Sequence, residues 1–305
     1  MFYIYELIFL IFIIFSPIIF LLRIISGKEN PKRFLEKFSF YSNYNNINKT
    51  VWLHGASIGE ITSVIPIVEA LEKNKKIKKI LLTSSTTSSA SVIKKYKFKK
   101  TTHVFFPIDT NYFAIRFIRY WKPQIAVFID SEIWPNMFKN LNKHKIPIIL
   151  LNGRITKKSF LRWRKFPKFS EKIFNMISVA LPQNNETIKY LKILGTKKIK
   201  VAGNLKYFGK SKKTLDKNTK KLFKNRLIFC AASTHYNEEL FIGKIHKELK
   251  LKYKNLITIL IPRHVNRSQS IINELENIDL KIITKSSKKK ISKNTDIYMI
   301  DTYGE

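Results

Sequence analysis

Beyond residue 48, short apolar runs alternate along the chain with longer stretches that carry an apolar residue every three or four positions. The short runs predict β-strands, and the longer stretches predict amphipathic helices. Strands that alternate with helices predict βαβ units, and hence a parallel sheet with both faces covered. In the first half of the chain the predicted strands are 51–53, 80–82, 104–106, 125–129 and 146–151, and the predicted helices include 61–71, 112–121 and 134–143.

This alternation of strands and helices ends near residue 207 and begins again after it. Segments 182–194 and 197–202 are predicted to complete the first sheet, and the Lys- and Asn-rich stretch 210–226 predicts a linker or an exposed helix. The sequence therefore predicts an α/β protein with two domains, residues 26–207 and 208–305, which follow an N-terminal segment of residues 1–25. The predicted strands of the second domain are 227–231, 256–261, 281–283 and 297–300.

The N-terminal segment has the composition of a membrane anchor. About 20 apolar residues suffice to cross a bilayer, and residues 2–22 are apolar apart from Tyr3, Tyr5, Glu6, Ser16 and Pro17. A secretory signal peptide does not fit, since no positive charge precedes the apolar run and no small-residue cleavage site follows it. Basic residues follow the run instead, which predicts that the body of the protein lies in the cytoplasm. We expect a membrane anchor rather than a buried core helix, and a helix lying in the interface remains an alternative to a spanning one.

Charge and cysteine content exclude few of the possible functions. The 305 residues include 57 basic and 21 acidic ones, a net charge of +36 that is spread along the chain, mainly as Lys beside Asn, Ile and Phe. An AT-rich genome produces the same bias, so the charge alone is weak evidence for nucleic acid, although it predicts attraction to anionic surfaces. The single cysteine, Cys230, excludes an intramolecular disulfide and fits a reducing compartment. The six histidines show no zinc-type spacing, so we expect no metal site.

The segment 51–60, with the sequence VWLHGASIGE, carries the clearest chemical signal. A buried strand ends there in small residues and a lone carboxylate, just before a predicted helix. In open α/β sheets, ligands bind at such turns, outside the carboxyl ends of the strands. Glu60 is therefore a candidate general base, whose pKa nearby apolar surface would raise. The alternative is that Glu60 only favours the N-terminus of its helix through the macrodipole.

Other polar clusters follow predicted strands, and each also has a purely structural explanation as a helix start, a tight turn or plain surface. Together they predict an enzyme that uses an anionic, phosphate-bearing donor, with Arg263 able to clamp the phosphate. The clusters are Thr83 to Ser91, Asp130-Ser131-Glu132, Asn152-Gly153-Arg154, Gly203-Asn204-Leu205-Lys206, Ser233-Thr234 with Glu238-Glu239, and Pro262-Arg263-His264.

Seven short motifs along the chain have the order and spacing of one family. The chain resembles the Kdo transferases of lipopolysaccharide synthesis, which move 3-deoxy-D-manno-octulosonic acid (Kdo) from its CMP-activated form onto the lipid A precursor. The resemblance covers essentially all 305 residues and includes the membrane-associated N-terminal segment. The motifs are WLHGASIGE, DSEIWPN, NGR, GNLK, ASTHxxEE, PRH and DTYGE.

The resemblance implies a GT-B glycosyltransferase with two Rossmann-like domains, which inverts the anomeric centre and needs neither a metal nor another cofactor. It makes Glu60 the general base and assigns CMP-Kdo, a lipid A precursor and inner-membrane lipids as partners, with no nucleic acid. It places the protein on the cytoplasmic face of the inner membrane. The implied acceptor or cleft residues are Ser57, Glu132, Asn152, Arg154 and Lys206, and the implied CMP-binding residues are Ser233, Thr234, Pro262, Arg263 and His264.

Three departures from the family pattern accompany the resemblance. Asp130 stands where the family usually has Glu, and Ser88 stands where Gly is common. The chain stops at Glu305, whereas family members continue for roughly another hundred residues. We therefore expect an incomplete second domain and an isolated chain that is inactive or severely impaired.

Two further alternatives are a GT-B transferase that uses a UDP-sugar and a membrane-anchored nucleic-acid-binding protein, for which no binding motif is found.

Overall fold

The computed structural model describes residues 2–41, 50–205, 223–287 and 289–302. The chain divides into two compact units, Met1–Ser211 and Lys212–Glu305. The predicted boundary at residue 207, and most of the predicted linker 210–226, lie outside the described residues.

The first unit contains a six-stranded sheet in which every neighbouring pair of strands is parallel. The strand order is β3-β2-β1-β4-β5-β6, the order of a doubly wound α/β sheet. The chain direction across this sheet reverses between β1 and β4, and the crevice outside their carboxyl ends is the place where such sheets bind ligands. The strands are β1 (Thr50–His54), β2 (Ile80–Ser84), β3 (Thr101–Phe105), β4 (Pro123–Ile129), β5 (Ile148–Gly153) and β6 (Val179–Pro182).

Helices follow these strands, and hydroxyl or amide side chains begin five of them. Ser57, Thr86, Thr110, Thr156 and Asn184 each accept a hydrogen bond from the backbone N–H three residues ahead, which satisfies one of the free donors of the first turn. The helices of the first unit are α1 (Phe2–Ile25), α2 (Ile58–Lys73), α3 (Thr87–Lys94), α4 (Asn111–Trp121), α5 (Pro135–Lys143), α6 (Lys157–Arg164), α7 (Pro167–Phe174) and α8 (Asn185–Leu194), with a 3₁₀ helix at Phe34–Phe38.

Two apolar layers cover the two faces of this sheet. Trp52 belongs to the larger layer, with Phe117 and Phe128, whereas its neighbour Leu53 packs in the other layer with Ile61. This division follows from the strand geometry, because consecutive side chains point to opposite faces. The nearly continuous apolar strands that the sequence shows are the result of burial on both faces.

The second unit repeats the architecture on a smaller scale. Its four strands are all parallel, in the order β7-β8-β10-β9, and its core is formed by residues such as Leu260, Leu275 and Met299. Strand β7 lies at the edge of the sheet. The elements are β7 (Leu227–Thr234), α9 (Glu238–Lys252), β8 (Leu256–Pro262), a 3₁₀ turn (Val265–Arg267), α10 (Ser268–Glu276), β9 (Ile282–Thr284) and β10 (Ile297–Met299).

The two segments predicted to complete the first sheet contribute little to it. Segment 182–194 is mostly helix α8, and only Pro182 belongs to β6. The predicted strand at 197–202 is reduced to a single bridge between Ile199 and Ala180. Lysines surround Ile199, which packs on the core, so the segment has little apolar surface to hold it against the sheet. Helices α6 and α7 were not predicted.

Helix α1 is joined to the first unit through a buried carboxylate. The Tyr5 hydroxyl donates a hydrogen bond of 2.8 Å to Oδ2 of Asp109, a residue with no solvent exposure. Asp109 also accepts hydrogen bonds from the backbone N–H groups of Asn136 and Met137, in the first turn of α5. Asp109 therefore connects α1 to the N-terminus of α5.

We expect Tyr5→Phe to lower the free energy of unfolding by about 1–3 kcal/mol, because it removes one of the donors to a buried carboxylate. The matched control is Tyr3→Phe, at a side chain that is 91% exposed. Urea unfolding in detergent, followed by tryptophan fluorescence, measures both. Equal stability of the two variants would contradict this role of Asp109.

Candidate active site

The turn between β1 and α2 allows an unusually close approach of strand and helix. A Cβ atom on Gly55 would lie 3.1 Å from Cβ of Glu60 and 3.4 Å from Cδ1 of Ile61. A side chain at this position would therefore be tight against Glu60, which would have to shift by a few tenths of an ångström. Glycine at position 55 keeps the Glu60 carboxylate near the reversal point of the sheet.

Two hydrogen bonds orient the Glu60 carboxylate. Its Oε2 accepts from the backbone N–H of Ala56 at 2.7 Å, and its Oε1 accepts from the Ser57 hydroxyl at 2.9 Å. Ser57 is also the N-cap of α2, and its Oγ lies 3.4 Å from the Glu60 backbone nitrogen. The pair forms a variant of the capping box. Glu60 thus stabilises its helix and also presents a held, half-buried carboxylate.

The surroundings of Glu60 raise its pKa above the usual value for a glutamate. Burial is the largest cause, and the negative charges of Glu132 and then Asp130 act in the same direction. The hydrogen bonds from Ser57 and Ala56 oppose the shift but do not cancel it. A carboxylate with a raised pKa is a better proton acceptor.

Glu132 lies in the turn between β4 and α5. Its Oε2 accepts a hydrogen bond of 3.0 Å from Trp134 Nε1 and is 3.4 Å from Nε2 of His54, the last residue of β1. The His54 ring is fully buried, stacks on Phe106 with centroids 4.0 Å apart, and has its Nδ1 2.9 Å from Thr83 Oγ1. The Glu132 carboxylate therefore lies between a half-buried indole and a buried imidazole.

His54 and Trp134 were not predicted as site residues. His54 belongs to the motif VWLHGASIGE, and Trp134 belongs to the motif DSEIWPN. A histidine directly before the strand-to-helix turn was the available signal, but only the three-dimensional structure shows that it faces Glu132.

Asn152 joins two further segments at the same end of the sheet. Its Nδ2 donates to Asp130 Oδ1 at 3.2 Å, and its Oδ1 accepts from the backbone N–H of Leu205 at 3.0 Å. Asp130 and Asn152 both have positive φ angles, 60° and 54°, a conformation that short polar residues tolerate best. The Arg154 side chain is exposed. Lys206 lies outside the described residues.

Much of the hydroxyl-rich segment Thr83 to Ser91, which runs from the end of β2 into α3, is engaged inside the first unit. Thr83 accepts from Trp52 Nε1 at 2.9 Å, Ser84 lies 2.9 Å from His103 Nε2, and Thr86 caps α3. These contacts favour the structural explanation of the loop over binding of a phosphate or a sugar.

In the second unit, the predicted CMP-binding residues lie at the carboxyl ends of two neighbouring strands. Thr234 of β7 is paired with Pro262 of β8, and the backbone N–H of Arg263 donates to the Thr234 carbonyl at 2.9 Å. The side chains of Ser233, Arg263 and His264 are exposed. This arrangement leaves a guanidinium and an imidazole exposed at the carboxyl ends of the two strands, where they suit an anionic ligand.

Within the described ranges, no group of three or more His, Cys, Asp and Glu side chains is arranged to hold a metal ion. The expected independence of metals and cofactors stays a prediction.

The topology and the carboxylate at the reversal point are those of an α/β enzyme, and solved structures share the fold. The UDP-GlcNAc 2-epimerase of Neisseria meningitidis, solved with UDP-GlcNAc, matches with a TM-score of 0.54 and 12% identity over 85% of this chain and 73% of that one. The likeness confirms the predicted α/β fold class with parallel sheets, which is that of GT-B proteins.

The sequence comparisons identify the family. Residues 32–208 match the family described as 3-Deoxy-D-manno-octulosonic-acid transferase (kdotransferase). The 3-deoxy-D-manno-octulosonic acid transferase of Rickettsia bellii is 32% identical over 99% of this chain and 72% of its own length, and that of Rickettsia prowazekii is 33% identical over 84% and 56%. The chain belongs to this family of glycosyltransferases, and it spans a little over half to about three quarters of the length of these relatives.

We predict that Glu132→Gln lowers the pKa of Glu60, because it removes a negative charge that disfavours the ionised carboxylate. NMR titration of the ¹³C-labelled glutamate carboxyl carbons measures this shift. Glu186→Gln, at an exposed carboxylate that hydrogen-bonds Tyr190, is the control and should leave the Glu60 titration unchanged. An unchanged or higher pKa of Glu60 in Glu132→Gln would show that the two carboxylates do not interact.

Proposed function

We propose that the protein transfers Kdo from CMP-Kdo to a lipid A precursor, with inversion at the anomeric carbon. Membership of the Kdo transferase family supports the reaction class. The observation that carries the proposal is the Glu60 carboxylate, which lies at the reversal point of the sheet, is oriented by Ser57 and Ala56, and has a raised pKa.

In the proposed reaction, Glu60 takes the proton from the acceptor hydroxyl as its oxygen attacks the anomeric carbon of Kdo. The new bond joins that oxygen to the anomeric carbon, and the bond from this carbon to the phosphate oxygen of CMP breaks. The electron pair leaves with CMP, and the proton remains on Glu60. Ser57 keeps the carboxylate in one orientation, and the charge of Glu132 favours protonation of Glu60.

The polar residues around Glu60 receive the acceptor in this proposal. Asn152 holds the turn after β5 against Asp130 and Leu205, and Arg154 lies exposed beside it. Arg154 and Lys206 supply positive charge for the phosphates of the lipid A precursor.

The second unit binds CMP-Kdo in the same proposal. Arg263 pairs with the phosphate, and His264, Ser233, Thr234 and Pro262 complete the nucleotide site. The positive charge of Arg263 stabilises the phosphate of CMP as it leaves, so the proposed reaction needs no metal or other cofactor.

The proposed location is the cytoplasmic face of the inner membrane. Helix α1 is long and apolar enough to cross a membrane, and the net charge of +36 attracts anionic lipid headgroups. We propose membrane lipids and the two substrates as partners, and no nucleic acid.

The first test is Kdo transfer from freshly generated CMP-Kdo to a lipid A precursor in detergent. We expect Glu60→Gln to lower the rate about 10²- to 10⁴-fold, the usual contribution of a general base. The control is Glu69→Gln, at an exposed carboxylate on the same helix, which should retain the rate of the unaltered protein. Equal rates in Glu60→Gln and Glu69→Gln would exclude Glu60 as the base. No transfer by the unaltered chain would instead agree with the expectation that the isolated 305-residue chain is inactive or severely impaired.

The second test is binding of CMP, measured by calorimetry. We expect Arg263→Gln to raise the Kd for CMP about 10- to 100-fold, since it removes a charge-assisted hydrogen bond. The control Lys244→Gln, at an exposed residue of α9, should not change it. UDP should bind much more weakly than CMP, and equal affinity for the two nucleotides would favour a UDP-sugar transferase instead.

A further inference from the structure

Helix α1 has one face that packs against the first unit along its length. The less exposed residues recur every three or four positions, which places them on a single face. The remaining positions are largely exposed, and nearly all of them are apolar. The residues of the packed face include Phe2, Tyr5, Glu6, Phe9, Ile13, Ser16 and Phe20.

The N-terminal end of α1 is held on the first unit by several different contacts. The Phe2 ring packs edge-on against Phe169, with centroids 5.0 Å apart, and Lys172 Nζ lies 5.5 Å from the Phe2 centroid. One turn later, Tyr5 donates to the buried Asp109. Glu6 accepts from the backbone N–H of Asn111, the first residue of α4, at 3.0 Å.

The C-terminal end of α1 is held on the same unit. The ring of Phe20 packs against Phe34 and Phe38 of the 3₁₀ helix, with centroids 6.0 and 5.3 Å apart. The buried carboxylate of Glu29 pairs with Arg23 at 3.3 Å and with Lys37 at 2.7 Å.

The 3₁₀ helix is in turn fixed to the sheet. Glu36 accepts a hydrogen bond from the backbone N–H of Phe105, in β3, at 2.9 Å. Arg33 pairs with Glu36 at 2.7 Å and donates to the His103 carbonyl at 2.9 Å. The C-terminal end of α1 is therefore tied to the sheet through the 3₁₀ helix.

These contacts decide between the two membrane arrangements that the sequence leaves open. A helix of 24 residues is about 36 Å long, and the hydrocarbon core of a bilayer is about 30 Å thick. If α1 spanned the membrane, Phe2 and Arg23 would lie at opposite surfaces, and only one of them could touch the first unit. Both ends touch it.

We propose that α1 does not cross the membrane but lies in the plane of one leaflet, with its outer face in the lipid and both ends docked on the first unit. The proposal rests on the membrane association proposed above and is independent of the reaction catalysed. The outer face is apolar over its whole length, and it includes Ile4 (56% exposed), Leu7 (57%), Ile11 (48%), Ile14 (72%), Ile18 (61%) and Leu22 (61%).

Charge complementarity indicates a lipid surface as the occupant. Lys139 and Lys172 line a cavity together with Phe2 and Glu6, and Arg162 lines the next one with Ile4 and Ile8. Near the other end, Arg116 stacks on the half-exposed ring of Phe40. Basic side chains beside an apolar helix face match the anionic headgroups and the acyl region of a leaflet.

The test is cross-linking of cysteine pairs in isolated membranes, in a chain whose only native cysteine is removed by Cys230→Ser. With a short bismaleimide, the pair Phe2→Cys and Phe169→Cys should cross-link, since those rings are in contact. The pair Phe20→Cys and Phe38→Cys is the positive control, because it should react in both arrangements. The pair Ile14→Cys and Phe169→Cys, with an outward-facing residue, is the negative control. If the pair at positions 20 and 38 cross-links and the pair at positions 2 and 169 does not, the proposal is overturned in favour of a spanning helix.

A second measurement tests whether the outer face of α1 contacts lipid. We expect Ile14→Glu with Ile18→Glu to reduce binding to phosphatidylglycerol vesicles about tenfold or more, as measured by flotation. The control Leu251→Glu changes an apolar residue of the second unit that is 76% exposed, and it should bind as the unaltered protein does. Equal loss in both variants would show that α1 has no special role in lipid binding. Any Kdo transfer that the unaltered protein shows in detergent should persist in the Ile14 and Ile18 variant, which separates this inference from the proposed reaction.

Discussion

The short distance between Gly55 and the first turn of α2 is the constraint on which the candidate site depends. The first turn of α2 comes so close to the end of β1 that a Cβ atom there would meet Glu60 and Ile61. This approach brings the Ala56 N–H and the Ser57 hydroxyl within reach of the Glu60 carboxylate. It also places that carboxylate where the strand order of the sheet reverses, the position at which doubly wound sheets bind their ligands.

The helix-capping role of Glu60 and its proposed catalytic role are compatible. The hydrogen bonds that stabilise the start of α2 also restrict the carboxylate to one orientation, as a base requires. They favour the ionised form, whereas burial and Glu132 favour the protonated form, and the second influence is larger. Glu132 is itself held by Trp134 and lies close to the buried His54. The turns after β1 and β4 therefore act together on the pKa of Glu60.

The sequence predicted the strands well because burial on both faces makes each one a short, nearly continuous apolar run. It predicted the turn at 51–60 because glycines, a serine and a lone carboxylate are unusual after such a run. It did not reveal that His54 faces Glu132 or that Asn152 reaches Leu205, since both contacts join segments far apart in the chain. The role of Asp109 was also hidden, because an aspartate outside any motif gives no sign that it is buried beneath Tyr5. The strand predicted at 197–202 failed because lysines surround its one anchoring residue, Ile199.

The most direct test of the account is a crystal structure of the protein with the lipid A precursor bound. The account predicts that the reactive hydroxyl of the acceptor lies within hydrogen-bond distance, about 2.6–3.2 Å, of a carboxylate oxygen of Glu60. It also predicts that the acceptor occupies the crevice outside the carboxyl ends of β1 and β4. An acceptor bound elsewhere on the first unit, with Glu60 engaged only by Ser57 and Ala56, would contradict the account and leave Glu60 as a helix cap alone.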